Sequence, residues 1–402
     1  MSEHTDVLIV GGGLVGASLA IALDAAGRAV TMVEAAAPRL GAQPSYDERN
    51  LALARASTNG LRAIGVWDHA AAAATPIRHI HVSRAGEFGS TRLDAERMGM
   101  DALGWTLPAR ELGAALLTRL DTCTRLTRHA PARLTALHRD GDGWQACIKT
   151  PDGERDIVTR LLVGADGSDS IVRRQLGIQA DVHDYRQALF VSTVTPQHAP
   201  DGRAFERFAD DGPVALLPLT GGRAGLVLTV ASDQVDAVTD MDDDAFLALA
   251  QDRFGWRLGR LTRPGKRAPH AIARVTAKQV IGRRAVLVGN AAQTIHPIGA
   301  QGFNLGLRDA LTLSELIADA VDPGDAILLA AYADRRKPDR EGVLAMSHGL
   351  ISLACLRQPL LAPLRSLGLL AFDRLPPLRR SMAMRGMGFR GQPPRDVLET
   401  LP

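Results

Sequence analysis

A glycine motif between two apolar strands is the feature that most constrains the fold of this chain. The segment Thr5–Val10 is apolar and rich in β-branched residues, as in a buried parallel strand, and it stops at Gly11. Gly11 permits a tight turn, Gly13 lets the backbone approach a pyrophosphate, and Gly16 allows the next helix to pack closely on the strand. A second predicted strand leads to Glu34, where a carboxylate can bond ribose hydroxyls. We therefore predict a β-α-β unit that binds a dinucleotide at the N-terminus of its helix.

The same pattern returns later in the chain. Short buried strands are predicted at Leu161–Val163 and Ala285–Val288, each followed by a glycine-containing turn, whereas residues 185–231 are predicted to form antiparallel strands. Residues 35–60 are predicted to be mostly loop. The expected fold class is α/β with an α+β insertion: a Rossmann-like domain interleaved with an antiparallel-sheet substrate domain and followed by a helical C-terminus. The predicted boundaries are 1–75, 101–180 and 276–345 for the nucleotide-binding domain, 76–100 and 181–275 for the substrate domain, and 346–402 for the helical, basic C-terminal region.

Composition excludes several classes of protein. The 402 residues carry 47 Lys and Arg against 44 Asp and Glu, and a net charge of +3 argues against a protein that coats nucleic acid. The three cysteines form no CxxC pair, which argues against a disulfide framework or a zinc site. The chain has no apolar run of about 18 residues and no basic, apolar leader, so we expect no transmembrane helix and a cytoplasmic location, either free or on a membrane surface.

Three separated blocks carry a resemblance to a known family. They are the glycine motif Gly11–Leu23 with Glu34, the DG motif Val163–Arg173, and a late motif, Leu287–Asp309. In this order and spacing they resemble the flavoprotein aromatic hydroxylases (group A monooxygenases) of the ubiquinone-biosynthesis type. Two further segments, with the sequences ERFADDGPVALLPL and LRSLGLLAFDRLPPLRR, extend the similarity over nearly the whole chain. The resemblance implies FAD as the cofactor and NADPH or NADH as a transiently bound co-substrate.

The resemblance also implies which residues bind the cofactor. For Arg49 and Arg110 the alternative is a solvated surface side chain, and for Asp166 it is a residue that only forms its own turn. The full set is Gly11, Gly13, Gly16, Glu34, Arg49, Arg110, Asp166, Gly167, Gly289, Asn290, Pro297, Gly302, Phe303 and Asn304.

The late motif supports flavin binding on its own chemistry. Pro297 and Gly302 make a loop whose backbone can lie flat against a planar ring, and the helix predicted at Asn304–Ala320 points its N-terminus there, where it would stabilise negative charge on a reduced flavin. Asn290 occupies the position at which the family at large has Asp. The sequence GNAAQT that contains it is typical of the subgroup resembling 2-polyprenyl-6-methoxyphenol hydroxylase. Gly299-Ala300 reverses the usual Ala-Gly order.

Two residues of this loop are the candidate catalytic residues. His296 and Pro297 lie in the flavin loop, although hydrogen bonding or packing would explain His296 equally well. His79 and His81 alternate on a predicted strand but have no carboxylate or cysteine partner in the sequence, so we predict no metal site.

By resemblance, the protein is an FAD-dependent monooxygenase in which NAD(P)H reduces FAD, O2 adds at the flavin C4a, and the hydroperoxide hydroxylates a phenolic ring. The expected substrate is a polyprenylated phenol of ubiquinone biosynthesis, with C1 hydroxylation of 2-polyprenyl-6-methoxyphenol favoured. The alternatives are another ring position, a soluble phenolic acid, or a non-catalytic flavin-binding subunit of a quinone-biosynthetic complex. The sequence does not identify a catalytic base.

The C-terminal region has a charge pattern of its own. Residues 350–390 contain seven arginines and one aspartate among many Leu and Ala residues. Basic amphipathic helices bind anionic lipid, so this segment predicts contact with a membrane surface. A helical cap on the FAD domain or contact with a quinone-biosynthesis complex is the alternative.

Overall fold

Two large β-sheets and the helices packed on them make up most of the described part of the chain, which is residues 3–37, 47, 49–354, 363, 366–368 and 374–398 of a computed structural model. The strands are β1 (Glu3–Val10), β2 (Val30–Val33), β3 (Asn50–Ala54), β4 (Thr75–Ile77), β5 (His79–Arg84), β6 (Ser90–Asp94), β7 (Gly104–Pro108), β8 (Leu126–His129), β9 (Arg133–Asp140), β10 (Gly143–Thr150), β11 (Gly153–Gly164), β12 (Ala180–Pro196), β13 (Arg203–Phe208), β14 (Val214–Pro218), β15 (Ala224–Ala231), β16 (Leu261–Thr262), β17 (Ala268–Ala277), β18 (Ile281–Gly282), β19 (Ala285–Leu287) and β20 (Gln293–Thr294). The helices are α1 (Leu14–Ala25), α2 (Arg55–Ala63), α3 (Trp67–Ala70), α4 (Ala109–Leu120), α5 (Ile171–Gln175), α6 (Val235–Thr239), α7 (Asp243–Phe254), α8 (Gln301–Ile317), α9 (Ala326–Ala354) and α10 (Pro376–Gly386).

The first sheet is the predicted Rossmann-like layer. Its strand order is β18-β19-β11-β1-β2-β8, and every neighbouring pair from β19 to β8 is parallel. The strand predicted at Leu161–Val163 is the end of the longer β11, whose other end pairs with the β9-β10 hairpin. Leu8 and Ile9 of β1 are fully buried, because one face of the sheet is covered by α1, α4 and α8 and the other by the hairpin and α5.

The second sheet is the predicted substrate domain, in the order β20-β17-β12-β15-β14-β13-β5-β6. Its strands alternate in direction as expected, except that β5 and β13 are parallel. The strands within residues 185–231 pair antiparallel, as predicted, and the parallel pair arises because β5 comes from an early segment that joins the sheet only in the tertiary fold. One face packs on α7 through Phe246 and Phe254, and the other faces the first sheet's loops.

Residues 35–60 depart from the sequence expectation. Within them, Asn50–Ala54 is a strand of a small sheet ordered β3-β7-β4, and Arg55 begins helix α2. The prediction of loop was wrong there because a side chain 250 residues away, Asn304, accepts a hydrogen bond from the Ala54 N–H at 2.8 Å and anchors the strand. No local pattern signals such a contact.

The C-terminal segment 350–390 lies partly outside the described residues. Within it, α10 is described, and Leu375, Leu378 and Met382 are exposed large apolar side chains of this helix and its N-cap. No helix in the described part of the chain combines the length and apolar character needed to cross a bilayer.

Candidate active site

The glycine motif is shaped by close contact between main-chain segments. Gly11 has a φ of +107°, and a Cβ there would lie 2.4 Å from the carbonyl oxygen of Ala165. A Cβ on Gly16 would lie 1.9 Å from the carbonyl oxygen of Gly11. Gly13 is the N-cap of α1 and has no side chain to cap it. These contacts leave the first N–H groups of α1 available to an anion, as the motif predicts.

Glu34 is held at the end of β2 by the backbone. Its Oε2 accepts a hydrogen bond from Gly12 N at 2.5 Å, and its Oε1 accepts one from Ala36 N at 2.7 Å. The carboxylate therefore lies beside the glycine turn, in the place where a ribose diol is expected.

The DG turn is built around Asp166. Its carboxylate accepts hydrogen bonds from Ile171 N at 2.7 Å and from Ser170 Oγ at 2.5 Å, so it caps the start of α5. Gly167 has a φ of +83°, and a Cβ there would meet no described atom within 4 Å. The turn-forming alternative for Asp166 thus has direct support, while Gly167 leaves an open edge for a ligand.

The late motif begins where β19 ends. Gly289 packs on α1, because a Cβ there would approach Val15 to 3.1 Å. Asn290 is exposed. Beneath them lies Asp309, which the sequence analysis did not single out: it accepts hydrogen bonds from Gly289 N at 3.2 Å and from Arg336 Nε at 2.8 Å.

The flavin loop has two consecutive residues in the left-handed region. Gly299 has a φ of +67°, and Ala300, which takes the usual position of a glycine, has a φ of +49°. Gly302 stands in the first turn of α8 beside Phe303, and neither Gly299 nor Gly302 has a described atom within 4 Å of where a Cβ would lie. Helix α8 begins at Gln301, three residues before the predicted Asn304.

Asn304 is fully engaged with protein. It is buried, and its amide nitrogen donates to Ala52 O at 2.9 Å and to Ala300 O at 2.7 Å. It joins the flavin loop to β3, and a direct contact with the cofactor stays a prediction.

Arg49 and Arg110 are brought together, as backbone hydrogen bonds link their two segments: Ala109 N donates to Arg49 O at 2.8 Å. Arg49 pairs with Asp47 and is 42% exposed at its side chain, and Arg110 pairs with Glu111 and is 50% exposed. The charge of Arg49 is close enough to contribute, after burial, to lowering the pKa of His270 on the second sheet.

His296 and Pro297 lie where the flavin loop meets the second sheet. The His296 ring is 1% exposed and stands edge-on to Tyr185, with 4.9 Å between ring centroids. Its Nδ1 accepts from Ile298 N at 3.2 Å, which places the proton of the neutral ring on Nε2, a buried atom with no partner among the described residues. Burial lowers the pKa of His296 to about 4, so the ring is neutral at physiological pH.

His79 and His81 lie away from this site. His79 pairs with Asp94 at 2.9 Å, and His81 contacts Phe205 on the α7 side of the second sheet. Among the described residues, no three His, Cys, Asp or Glu side chains are grouped as metal ligands.

Comparison with known proteins decides the family. The chain matches a family model described as an FAD binding domain over residues 4–347. It is 38% identical to the ubiquinone hydroxylase UbiL of Rhodospirillum rubrum over 97% of this chain and 92% of that protein. It is 32% identical to the 3-demethoxyubiquinol 3-hydroxylase of Escherichia coli, over 96% and 99% of the two chains. This chain belongs to the family of FAD-dependent monooxygenases that contains the ubiquinone hydroxylases.

Solved structures confirm the fold of this monooxygenase. The p-nitrophenol 4-monooxygenase PnpA of Pseudomonas putida superposes with a TM-score of 0.77 at 18% identity, over 98% of this chain and all of that one. PqsL of Pseudomonas aeruginosa, described as a probable FAD-dependent monooxygenase, superposes with a TM-score of 0.74 at 24% identity, over 92% of this chain and 100% of that one. These structures confirm the predicted fold class, whereas the family model and the relatives confirm FAD as the cofactor and the enzyme class, and NAD(P)H is the reductant typical of this family.

The residues present fit FAD. A dinucleotide needs main-chain N–H groups for its diphosphate, a carboxylate for its ribose, and a flat, open edge for its ring. The N-terminus of α1 and Glu34 supply the first two, and Gly167, Gly299 and Gly302, with no described atom within 4 Å of where a Cβ would lie, leave open space at the DG turn and at the flavin loop.

Proposed function

We propose that this monooxygenase hydroxylates the aromatic ring of a polyprenylated phenol in ubiquinone biosynthesis, with C1 of 2-polyprenyl-6-methoxyphenol as the favoured position. The proposal rests on one observation: the flavin loop contacts an apolar face of the second sheet. Ile298 of the loop packs on Phe208 of β13, and Val191 and Val227 extend the face across β12 and β15. An apolar face beside a flavin suits a phenol with a hydrocarbon tail.

Residues of this chain would bind FAD, orient it and exclude water from the site. The N-terminus of α1 would hold the diphosphate, Glu34 the adenosine ribose, and the N-terminus of α8 would stabilise negative charge on the ring. When bound, FAD supplies the redox chemistry that takes electrons from NAD(P)H and activates O2. The buried, neutral His296 and the apolar Ile298 and Phe208 would help to exclude water from the cofactor site.

The test uses purified, FAD-loaded protein with NADH or NADPH, O2 and 2-prenyl-6-methoxyphenol. We expect reductant and O2 to be consumed with one oxygen atom appearing on C1, identified by mass spectrometry and NMR of the product. If the flavin stays oxidised when both NAD(P)H and the prenylphenol are present, the result supports a non-catalytic flavin-binding subunit and contradicts the proposed hydroxylase. Turnover of soluble phenolic acids without turnover of the prenylphenol would support the soluble hydroxylase instead.

A second ring position has specific support. The relative from Escherichia coli is named a 3-demethoxyubiquinol 3-hydroxylase, and it matches this chain along almost its full length. Cells lacking this protein distinguish the positions: accumulated 2-polyprenyl-6-methoxyphenol supports C1, and a later intermediate supports the alternative.

For the basic segment, we propose contact with an anionic membrane surface, where a polyprenyl substrate resides. The support is seven arginines against one aspartate in residues 350–390, together with the exposed Leu375, Leu378 and Met382. Co-sedimentation with vesicles containing phosphatidylglycerol should be lost in the double variant Arg379→Glu, Arg380→Glu. Undiminished sedimentation of that variant would favour the cap or protein-partner alternative.

A further inference from the structure

Glu206 occupies a central strand of the second sheet and points away from its helix-covered side. Its neighbour Phe205 contacts Phe254 of α7, with 5.4 Å between ring centroids. Because side chains alternate along a strand, Glu206 and Phe208 lie on the opposite face, where Phe208 packs on Ile298 of the flavin loop.

The register shows what surrounds Glu206 on that face. It pairs with Val82 of β5 on one side and Ala215 of β14 on the other, and Ala215 in turn pairs with Val227 of β15. Paired residues point to the same face, so Glu206 is the acidic member of a row that runs from Thr91 of β6 to Ala268 of β17 and is apolar except at Glu206 and Thr91.

Among the described residues, no hydrogen bond or ion pair reaches the carboxylate of Glu206, whose side chain is half-buried on this face. Burial, and not a neighbouring charge, raises the pKa of Glu206 to about 7. A carboxyl kept unpartnered in an apolar site is costly and is characteristic of functional groups.

The other titratable groups near this face have contacts of their own with residues other than Glu206. Arg84, on the same side of β5, pairs with Glu87 and Asp210. His270 is influenced by Arg49 and Asp47, and Tyr185 and His296 contact each other. None of them forms an ion pair with Glu206.

We propose that Glu206 is the general base that accepts the proton of the phenolic substrate. The phenolic O–H bond breaks, its electron pair stays on the ring oxygen, and a new O–H bond forms on the Glu206 carboxylate, with no change of oxidation state. The resulting phenolate is more electron-rich and reacts faster with an electrophilic oxygen. A base whose pKa lies near neutrality serves this role best. This inference rests on the proposed phenol substrate.

The test compares wild type with Glu206→Gln, which keeps the size of the side chain, and Glu206→Asp, which keeps the acid. The control is Glu154→Gln, an exposed carboxylate on the far end of β11. With 2-prenyl-6-methoxyphenol, kcat/KM of the wild type should rise as pH increases through about 7. Glu206→Gln should lose about 100-fold or more in kcat and lose that rise, with KM little changed. Glu206→Asp should restore part of the rate and the pH-dependent rise, and Glu154→Gln should match the wild type.

A second readout does not depend on turnover. Infrared difference spectra of the oxidised, FAD-loaded protein should show a protonated carboxyl band appearing when the phenol binds above pH 7, and Glu206→Gln should lack it. An unchanged pH profile in Glu206→Gln, with the wild type active, overturns the role of Glu206 and leaves the proposed function standing. If the wild type does not hydroxylate the phenol, the proposed function fails; the band then supports proton transfer to Glu206, and its absence overturns it.

Discussion

The two regions that FAD would join are built on opposite principles. At the nucleotide end, main-chain segments approach one another so closely that side chains cannot be added, and both Glu34 and Asp166 have protein partners. At the sheet face, neither the Glu206 carboxylate nor the His296 Nε2 has a hydrogen-bond partner among the described residues. The polar groups of the first region are satisfied by protein contacts, whereas two polar groups of the second lack a partner among the described residues, as is common at functional sites.

The largest effect is expected at the support of the nucleotide end. Asp309→Asn keeps the shape of the side chain but removes one of the two carboxylates that pair with the buried Arg336, so the buried cluster that it forms with Asp339 and Arg308 is left with an excess positive charge. We expect a loss of about 4 kcal/mol in the free energy of unfolding, measured by urea denaturation. The exposed Asp319→Asn should change stability by less than about 0.5 kcal/mol. Equal effects of the two variants would contradict the contrast between the regions.

Two glycines of the predicted FAD site should respond differently to substitution, because one is needed for packing and the other borders open space. Gly16→Ala places a Cβ 1.9 Å from the Gly11 carbonyl oxygen and should cost about 3 kcal/mol of folding stability as well as FAD binding. Gly302→Ala, with no described atom within 4 Å, should leave folding intact or improve it but weaken FAD binding.

The measurements are the melting temperature of the apoprotein and FAD affinity by fluorescence titration. Gly349→Ala, in helix α9, is the control for the gain in helix propensity. Unchanged FAD affinity in Gly302→Ala would place the flavin elsewhere.

The contributions of Glu206 and His296 to the free energy of unfolding should change with pH in opposite directions. The pKa of Glu206 is raised from 4.5 to about 7, so the wild type should lose roughly 3 kcal/mol relative to Glu206→Gln as pH rises through this window. The pKa of His296 is lowered from 6.5 to about 4, so relative to His296→Gln the wild type should lose a similar amount as pH falls from 6.5 to 4. Urea denaturation at a series of pH values measures both, and parallel curves for wild type and variant would show that the group is not buried as described.

The smallest expected effect is at the flavin loop. Ala300 holds a φ of +49°, which is unfavourable for a residue with a Cβ, so Ala300→Gly should raise stability by about 0.5–1 kcal/mol. Ala71→Gly, at an exposed residue with a φ of −58°, should lower it by a similar amount. Thermal unfolding of the two variants measures the difference, and a loss of stability in Ala300→Gly would mean that the loop requires the methyl group.

The sequence by itself determined the nucleotide end. The motif Gly11-x-Gly13-x-x-Gly16, Glu34 and the late block are local signals, because a close main-chain approach needs glycine at fixed spacings within one β-α-β unit. The strands around them were predicted within a few residues for the same reason. The order of the three blocks was enough to indicate FAD and the enzyme class.

Only the tertiary structure decided the sheet face. The parallel pairing of β5 with β13, the strand that Asn304 anchors, and the contact of the Glu206 face with the flavin loop through Phe208 and Ile298 all join segments far apart in the chain. A glutamate in the segment ERFADDGP carries no local sign that its carboxyl is half-buried without a partner among the described residues, since burial is a property of the assembled layers. The chemistry of the cofactor was therefore visible in the sequence, and the candidate for the proton acceptor became visible only in the fold.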